Sequence, residues 1–361
     1  MLFFVLLIFL CVLLIAFFWF RGIYIITSTM AAVMAIGIIT QGVVTNYFGS
    51  EYISGFGKLL SIFNISLWIA FLFSLILSIQ SNQFRSIHYE NPINRFGIGT
   101  WIAATSICSI LIYRNFPGWI SLVTYITIIN SILWITYMVI SIFALRDICR
   151  LKFTNKVHGI LLLTTVSTQS LVLLLNTIYK GDMILYISIS LVLTGIGFYF
   201  VCVAFILKRY LQNFKNINIE EEWKNTNCIL HGAVSITGLA CIFTNVVQES
   251  IITLIWVVSA TIFLIVELVE IFRLIKRVKR FGLSKGIFIY DVTQWSRLFT
   301  FGMFYTFTFR SYFGTGLLSQ IQSFVIQIGV WLILSLIIFE FILSIKGIVM
   351  NHKLSHVRLR G

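Results

Sequence analysis

Residues 96–144 read FGIGTWIAATSICSILIYRNFPGWISLVTYITIINSILWITYMVISIFA, two apolar runs (96–113 and 119–144) joined around the turn Asn115-Phe-Pro-Gly118. Each run has about the 20 residues that a helix needs to cross the hydrocarbon core of a bilayer. Neither alternates apolar and polar residues as the wall of a membrane barrel does, so both are predicted to be helices. A turn this short makes the pair an antiparallel hairpin.

The same unit recurs along the chain. Further apolar runs occupy 23–47, 59–79, 158–178, 183–207, 228–247, 251–271, 289–308 and 321–345. The predicted fold is all-α, a polytopic membrane protein in which ten helices form five hairpins. Residues 21–348 make one transport domain, and 349–361 form a basic C-terminal tail. Residues 1–20 are apolar, with neither a basic leading segment nor a small-residue cleavage site, and are expected to form an extra N-terminal helix in the membrane or at its surface. With 59% hydrophobic and 11% charged residues, the chain has too little polar surface to cover a soluble globule.

The formal net charge of +14 is mostly topology, because 20 of the 26 Lys and Arg residues fall in the gaps after every second segment or in the tail. The opposite side carries only Lys58, Arg114, Lys180 and Arg310. The positive-inside rule therefore places the rich gaps and the C-terminus in the cytoplasm. Basic clusters so short and so divided by apolar spans do not suit nucleic acid. Six cysteines without paired spacing read as apolar packing residues, and no metal site or cofactor is expected.

The two members of each hairpin differ. The first, third, fifth, seventh and ninth segments gather Gly and hydroxyl or amide residues, including Gly37, Thr40, Gly97, Thr100, Thr168, Gln169, His231, Gly232, Thr300 and Gly302. Their partners are smoother and bulkier. Small and polar residues in a spanning helix mark tight helix contacts or a water-lined path. Their recurrence in alternate segments favours the path, with five polar helices inside five apolar ones and those ten residues lining the lumen. Glu267, Glu270 and Glu340 fall on the outer segments, where pairing with neighbouring basic residues or snorkelling accounts for them. An inner ring without mid-membrane carboxylates, with Arg297 at its cytoplasmic mouth, suits anions. His158 and His231 lack a second ligand at helical spacing, so metal binding is not expected. No nucleophile and base set, metalloprotease motif or phosphate loop is present, and the chain is not expected to be an enzyme.

Five motifs resemble the tellurite-resistance/dicarboxylate transporter family, which includes the plant slow-type anion channels. They are Ala31-Ala-Val-Met-Ala-Ile-Gly-Ile-Ile39, Asn91-Pro-Ile-Asn-Arg-Phe-Gly97, Thr164-Thr-Val-Ser-Thr-Gln-Ser170, Leu230-His-Gly-Ala-Val-Ser-Ile236 and Trp295-Ser-Arg-Leu-Phe-Thr-Phe-Gly-Met-Phe304. They fall in order on the five inner segments. The resemblance implies odd helices around a central pore, a homotrimer in the plasma membrane, and a phenylalanine gate at Phe299. The chain departs from the pattern at Thr300, where the family usually has proline, and at Phe304, where tyrosine is usual. The first reading is a channel for small inorganic anions. A carrier or exporter of C4-dicarboxylates such as malate, or of sulfite- or tellurite-type oxyanions, is the alternative within transport. A membrane scaffold or lipid-binding protein is the alternative outside it.

Overall fold

The computed structural model describes residues 2–49, 55–212, 218–312 and 314–358. Among them there is no strand, and eleven long helices carry the fold. They are α1 (Leu2–Arg21), α2 (Thr27–Phe48), α3 (Phe56–Gln80), α4 (Pro92–Asn115), α5 (Pro117–Arg150), α6 (Gly159–Ile178), α7 (Asp182–Gln212), α8 (Asn225–Thr244), α9 (Glu249–Gly286), α10 (Gln294–Arg310) and α11 (Gly316–Arg358). With α1 counted, the odd segments of the sequence become the even-numbered helices α2 to α10. Of the basic residues counted above, Lys215 and Arg360 lie outside the described residues. So do the last three residues of the expected tail, whose first ten continue α11.

Burial separates the two sets as their composition does. In the most apolar stretch of each helix, 94% of residues are buried in α2, α4 and α6 and 78% in α8, against 28% in α5 and α7 and 22% in α9 and α11. The even helices close into a ring in chain order, α2 against α4, α4 against α6, α6 against α8, α8 against α10, and α10 back against α2. The remaining helices lie outside and expose large apolar residues such as Ile128, Phe200, Leu264 and Ile338. Half of the stretch in α3 is buried, because α1 lies along it with Phe18 edge-on to Phe71 and Trp19 near Phe73. Ten of the described helices, α1 included, are long and apolar enough to cross a membrane. The exception is α10 at 17 residues, about 25 Å. An inner helix tolerates this shortness because its flanks meet protein rather than lipid.

Glycines set the spacing within the ring. A Cβ on Gly37 would stand 2.3 Å from Ile107 of α4, and one on Gly232 would stand 2.2 Å from the Thr300 methyl of α10. Gly97 approaches Thr27 of α2, and Gly302 approaches Ile38 of α2. The small residues of the inner segments therefore bring backbones together.

The hydroxyls tie the outer helices to the ring. Trp68 of α3 donates its indole N–H to Thr105 of α4 at 3.0 Å. Trp134 of α5 donates to Thr168 of α6 at 2.9 Å, and Trp256 of α9 to Thr308 of α10 at 2.9 Å. In the third hairpin, Tyr199 of α7 donates its hydroxyl to the Leu230 carbonyl of α8 at 3.2 Å. In the fifth, Trp331 of α11 packs edge-on against Tyr47 and Phe48 of α2. Each outer helix thus pins the first helix of the next hairpin with an aromatic side chain. Beside lipid there is no water for an indole N–H, so an inner-helix oxygen supplies its partner.

Candidate functional site: an axial mouth in the inner ring

At the end of the ring where the inner helices have their C-termini lies a cavity of about 40 Å³ to which all five contribute. Its lining forms two layers. Ile38, Ile110, Leu173, Leu239 and Thr306 make a collar, and four residues further along each helix stand Gly42, Arg114, Thr177, Phe243 and Arg310. A spacing of four keeps both layers on one face of each helix. Gln41 and Asn46 add amides to the rim. They follow from a π-helical stretch, Ile39–Val44, within α2, a local unwinding frequent at functional sites. The Thr45 hydroxyl donates to the Thr40 carbonyl at 2.8 Å within this bulge, and Gln41 Oε1 is buried without a hydrogen-bond partner among the described residues.

Arg114 and Arg310 place two guanidinium groups at this mouth, and among the described residues no carboxylate belongs to its lining. Neither arginine forms an ion pair among the described residues. Two cations at a narrow opening walled by low-dielectric protein concentrate positive potential there.

Seven residues before each collar position the inner helices carry Ala31, Ala103, Val166, Gly232 and Phe299, all buried. Seven residues are nearly two full turns, so these positions share the collar's face about 10 Å deeper. Four of the five are small, and the fifth is a phenyl ring 2% exposed. Phe299, Thr306 and Arg310 follow one line down α10.

The other residues expected to line the lumen are engaged elsewhere, and none of the ten lines the mouth cavity. Thr168 accepts from Trp134 and donates to the Thr164 carbonyl at 2.7 Å. Gln169 donates to the Val192 carbonyl of α7 at 3.2 Å and packs against Gly195. Both reach toward outer helices. Thr40 donates to the Ile36 carbonyl of its own helix at 2.7 Å, and the Thr100 hydroxyl lies 2.7 Å from the Gly97 carbonyl and 3.1 Å from the Thr27 carbonyl of α2. The Thr300 hydroxyl donates to the Arg297 carbonyl at 2.9 Å. His231 lies in an aromatic box, 4.8 Å from the ring of Phe263 on α9 and flanked by Phe301 and Phe304. His158 closes the contact between α6 and α8, its Nδ1 2.7 Å from the Thr226 hydroxyl.

Arg297 lines a cavity of about 620 Å³ at the N-terminal end of α10, and there it is ion-paired. It pairs with Glu267 at 3.0 Å and Glu270 at 3.4 Å, both on outer helix α9, and Glu270 also holds Arg273 at 2.7 Å. The acidic residues of the eighth segment thus take basic partners, and Arg297 contributes little net charge to a pathway. In the sequence Arg114 and Arg310 mark only the sparsely charged side of the membrane. Their positions at the C-terminal ends of two inner segments were the available signal.

A closed ring of five buried helices, an outer shell facing lipid and a basic axial mouth define a multi-pass membrane transport protein. The sequence profile of one such family, described as voltage-dependent anion channel, matches residues 24–345. The chain belongs to that family and serves anion transport across a membrane. No curated protein sequence matches it.

Proposed function

We propose that the protein is a channel-like pathway for small monovalent anions, entered through the mouth at Arg114 and Arg310 and occluded at Phe299. The observation that carries this reading is the register of α10, which aligns Phe299 with Thr306 and Arg310 of the mouth and puts it at the helical level of Ala31, Ala103, Val166 and Gly232 on the other inner helices. At that level four inner helices carry Ala, Ala, Val and Gly, and α10 carries a phenyl group large enough to block a path between them. A bulky apolar ring stops ions by sterics and by excluding water, and the aliphatic collar above it forms a second dry zone. The cavity of about 40 Å³ has room for little more than one water. A passing anion therefore sheds most of its hydration against neutral groups, which favours easily dehydrated ions such as nitrate.

The positive-inside rule puts the C-termini of the inner helices, and so the Arg114 and Arg310 mouth, outside the cell, and the end of α11 in the cytoplasm. The setting is the plasma membrane and the assembly a homotrimer, as in the family that the motifs resemble. Planar bilayers containing the wild type or Phe299→Ala, under chloride, nitrate and malate gradients, test the reading. The expected result is a large rise in chloride and nitrate current in the variant. Silence in both proteins together with coupled malate uptake into vesicles would replace the channel with a carrier.

A further inference from the structure

Between outer helices α9 and α11, floored by α10, a crevice runs in two parts that share Phe301. The wider part, about 620 Å³, lies level with the N-terminal ends of the inner helices and is lined by Arg273, Arg277, Arg297, Glu270, Asp291 and Glu340 among others. The narrower part, about 160 Å³, extends along α11 toward the middle of the membrane between apolar and aromatic groups such as Phe304, Ile328 and Leu332. A polar chamber opening into an apolar slot has the shape of an amphiphile.

The chamber holds unanswered groups of both kinds. Glu340 Oε1, Glu270 Oε2, Arg273 Nε and Arg277 Nε are buried without hydrogen-bond partners among the described residues. Glu340 is 4% exposed, Glu270 8% and Arg273 6%. Buried donors and acceptors left in this state are costly, and their gathering in one cavity points to an occupant that satisfies both. The three arginines are matched by Glu270, Asp291 and Glu340, so the lining is neutral overall. Neutral walls with separate cationic and anionic groups fit a head that is itself neutral and carries both signs.

We propose that this crevice binds a phospholipid whose head joins a phosphate to a primary ammonium, a phosphoethanolamine lipid, with one acyl chain in the apolar slot. The phosphate accepts hydrogen bonds from Arg273 and Arg277. The ammonium donates to Glu340 and Glu270. A purely anionic head leaves those carboxylates facing a phosphate, and a trimethylammonium head has no N–H to donate. The site is independent of the Phe299 reading.

Native mass spectrometry of the full chain, released from micelles containing phosphatidylethanolamine, phosphatidylcholine and phosphatidylglycerol in equal amounts with identical chains, tests the proposal. The wild type is expected to retain phosphatidylethanolamine about tenfold over each competitor, the size set by one charged hydrogen bond. Glu340→Gln should bring the ethanolamine-to-choline ratio close to one. Arg277→Gln should weaken retention of phosphatidylethanolamine and phosphatidylcholine alike and leave their ratio as in the wild type. Thermal unfolding in lipid-free micelles checks that both variants fold, and the wild-type competition decides the matter if either does not. Equal retention of the three lipids, or an unchanged ratio in Glu340→Gln, overturns the proposal. Cross-linking of Leu336→Cys between two copies would also overturn it, by assigning the crevice to a second chain.

Discussion

Replacing Thr168 by Val separates two roles that a hydroxyl in an inner helix can have. The Thr168 oxygen lies 2.9 Å from the Trp134 indole nitrogen and 2.7 Å from the Thr164 carbonyl. Val keeps the shape and removes the acceptor, leaving a half-buried indole N–H at a seam beside lipid. An unsatisfied donor costs about 1–3 kcal/mol, whereas hydrogen bonds between membrane helices contribute on average about 0.6 kcal/mol and at most about 1.7. Trp134→Phe removes the donor while retaining most of the ring. Each single variant should therefore lose about 1–2 kcal/mol, and the double variant should lose less than their sum, with a coupling near 1 kcal/mol. Equilibrium unfolding in mixed micelles measures the stabilities, and chloride flux into vesicles measures transport. In the Phe299→Ala background, Thr168→Val should leave flux per folded molecule unchanged. Altered ion selectivity with additive stabilities would refute this assignment and return Thr168 to the lumen.

Further expectations follow from the mouth and the buried charges. Arg114→Gln and Arg310→Gln should each reduce anion flux several-fold at low ionic strength and far less at 1 M salt, where the screening length is about 3 Å; equal losses at both salts would contradict a field effect. Arg297→Gln removes the partner of Glu267 and Glu270 and should cost about 3–5 kcal/mol, readable as a lower unfolding midpoint. Unchanged stability with lost anion preference would make Arg297 an anion contact after all. His88 is fully buried beside Phe84 and Trp101, bonded to the Thr27 hydroxyl through Nδ1 at 2.9 Å, and burial lowers its pKa from 6.5 to about 4. Because the unfolded chain takes up this proton first, its contribution is complete above pH 6.5 and is lost as pH falls toward about 4. His88→Gln should flatten the pH dependence of the unfolding midpoint in that window.

Much of the architecture was legible in the primary structure. Apolar runs of membrane length, short turns and one-sided charge reveal hairpins, because a spanning helix must satisfy its own backbone and cover it with apolar side chains. The division into inner and outer helices was legible too, since backbones in a ring need Gly and small residues while lipid-facing helices need bulk. Gly37 and Gly232 mark such approaches. Glu267 and Glu270 were recognisable as partners for basic residues, though not as partners of Arg297 in particular.

The facing of each inner residue was decided only in three dimensions. A helix buried nearly all round has no polar face to reveal its orientation, so Thr168 and Thr177 look alike in sequence. Packing sends Thr168 to Trp134 and Thr177 to the mouth, just as it gives His231 an aromatic box. Arg114 and Arg310 are separated by nearly 200 residues, and closure of α10 against α2 completes the ring in which they line one opening. Length and composition thus determined a bundle of paired membrane helices, because transfer from water to lipid depends on each segment alone. Where its polar groups converge depends on how five buried helices are rotated about their own axes, and that rotation is a property of their mutual packing.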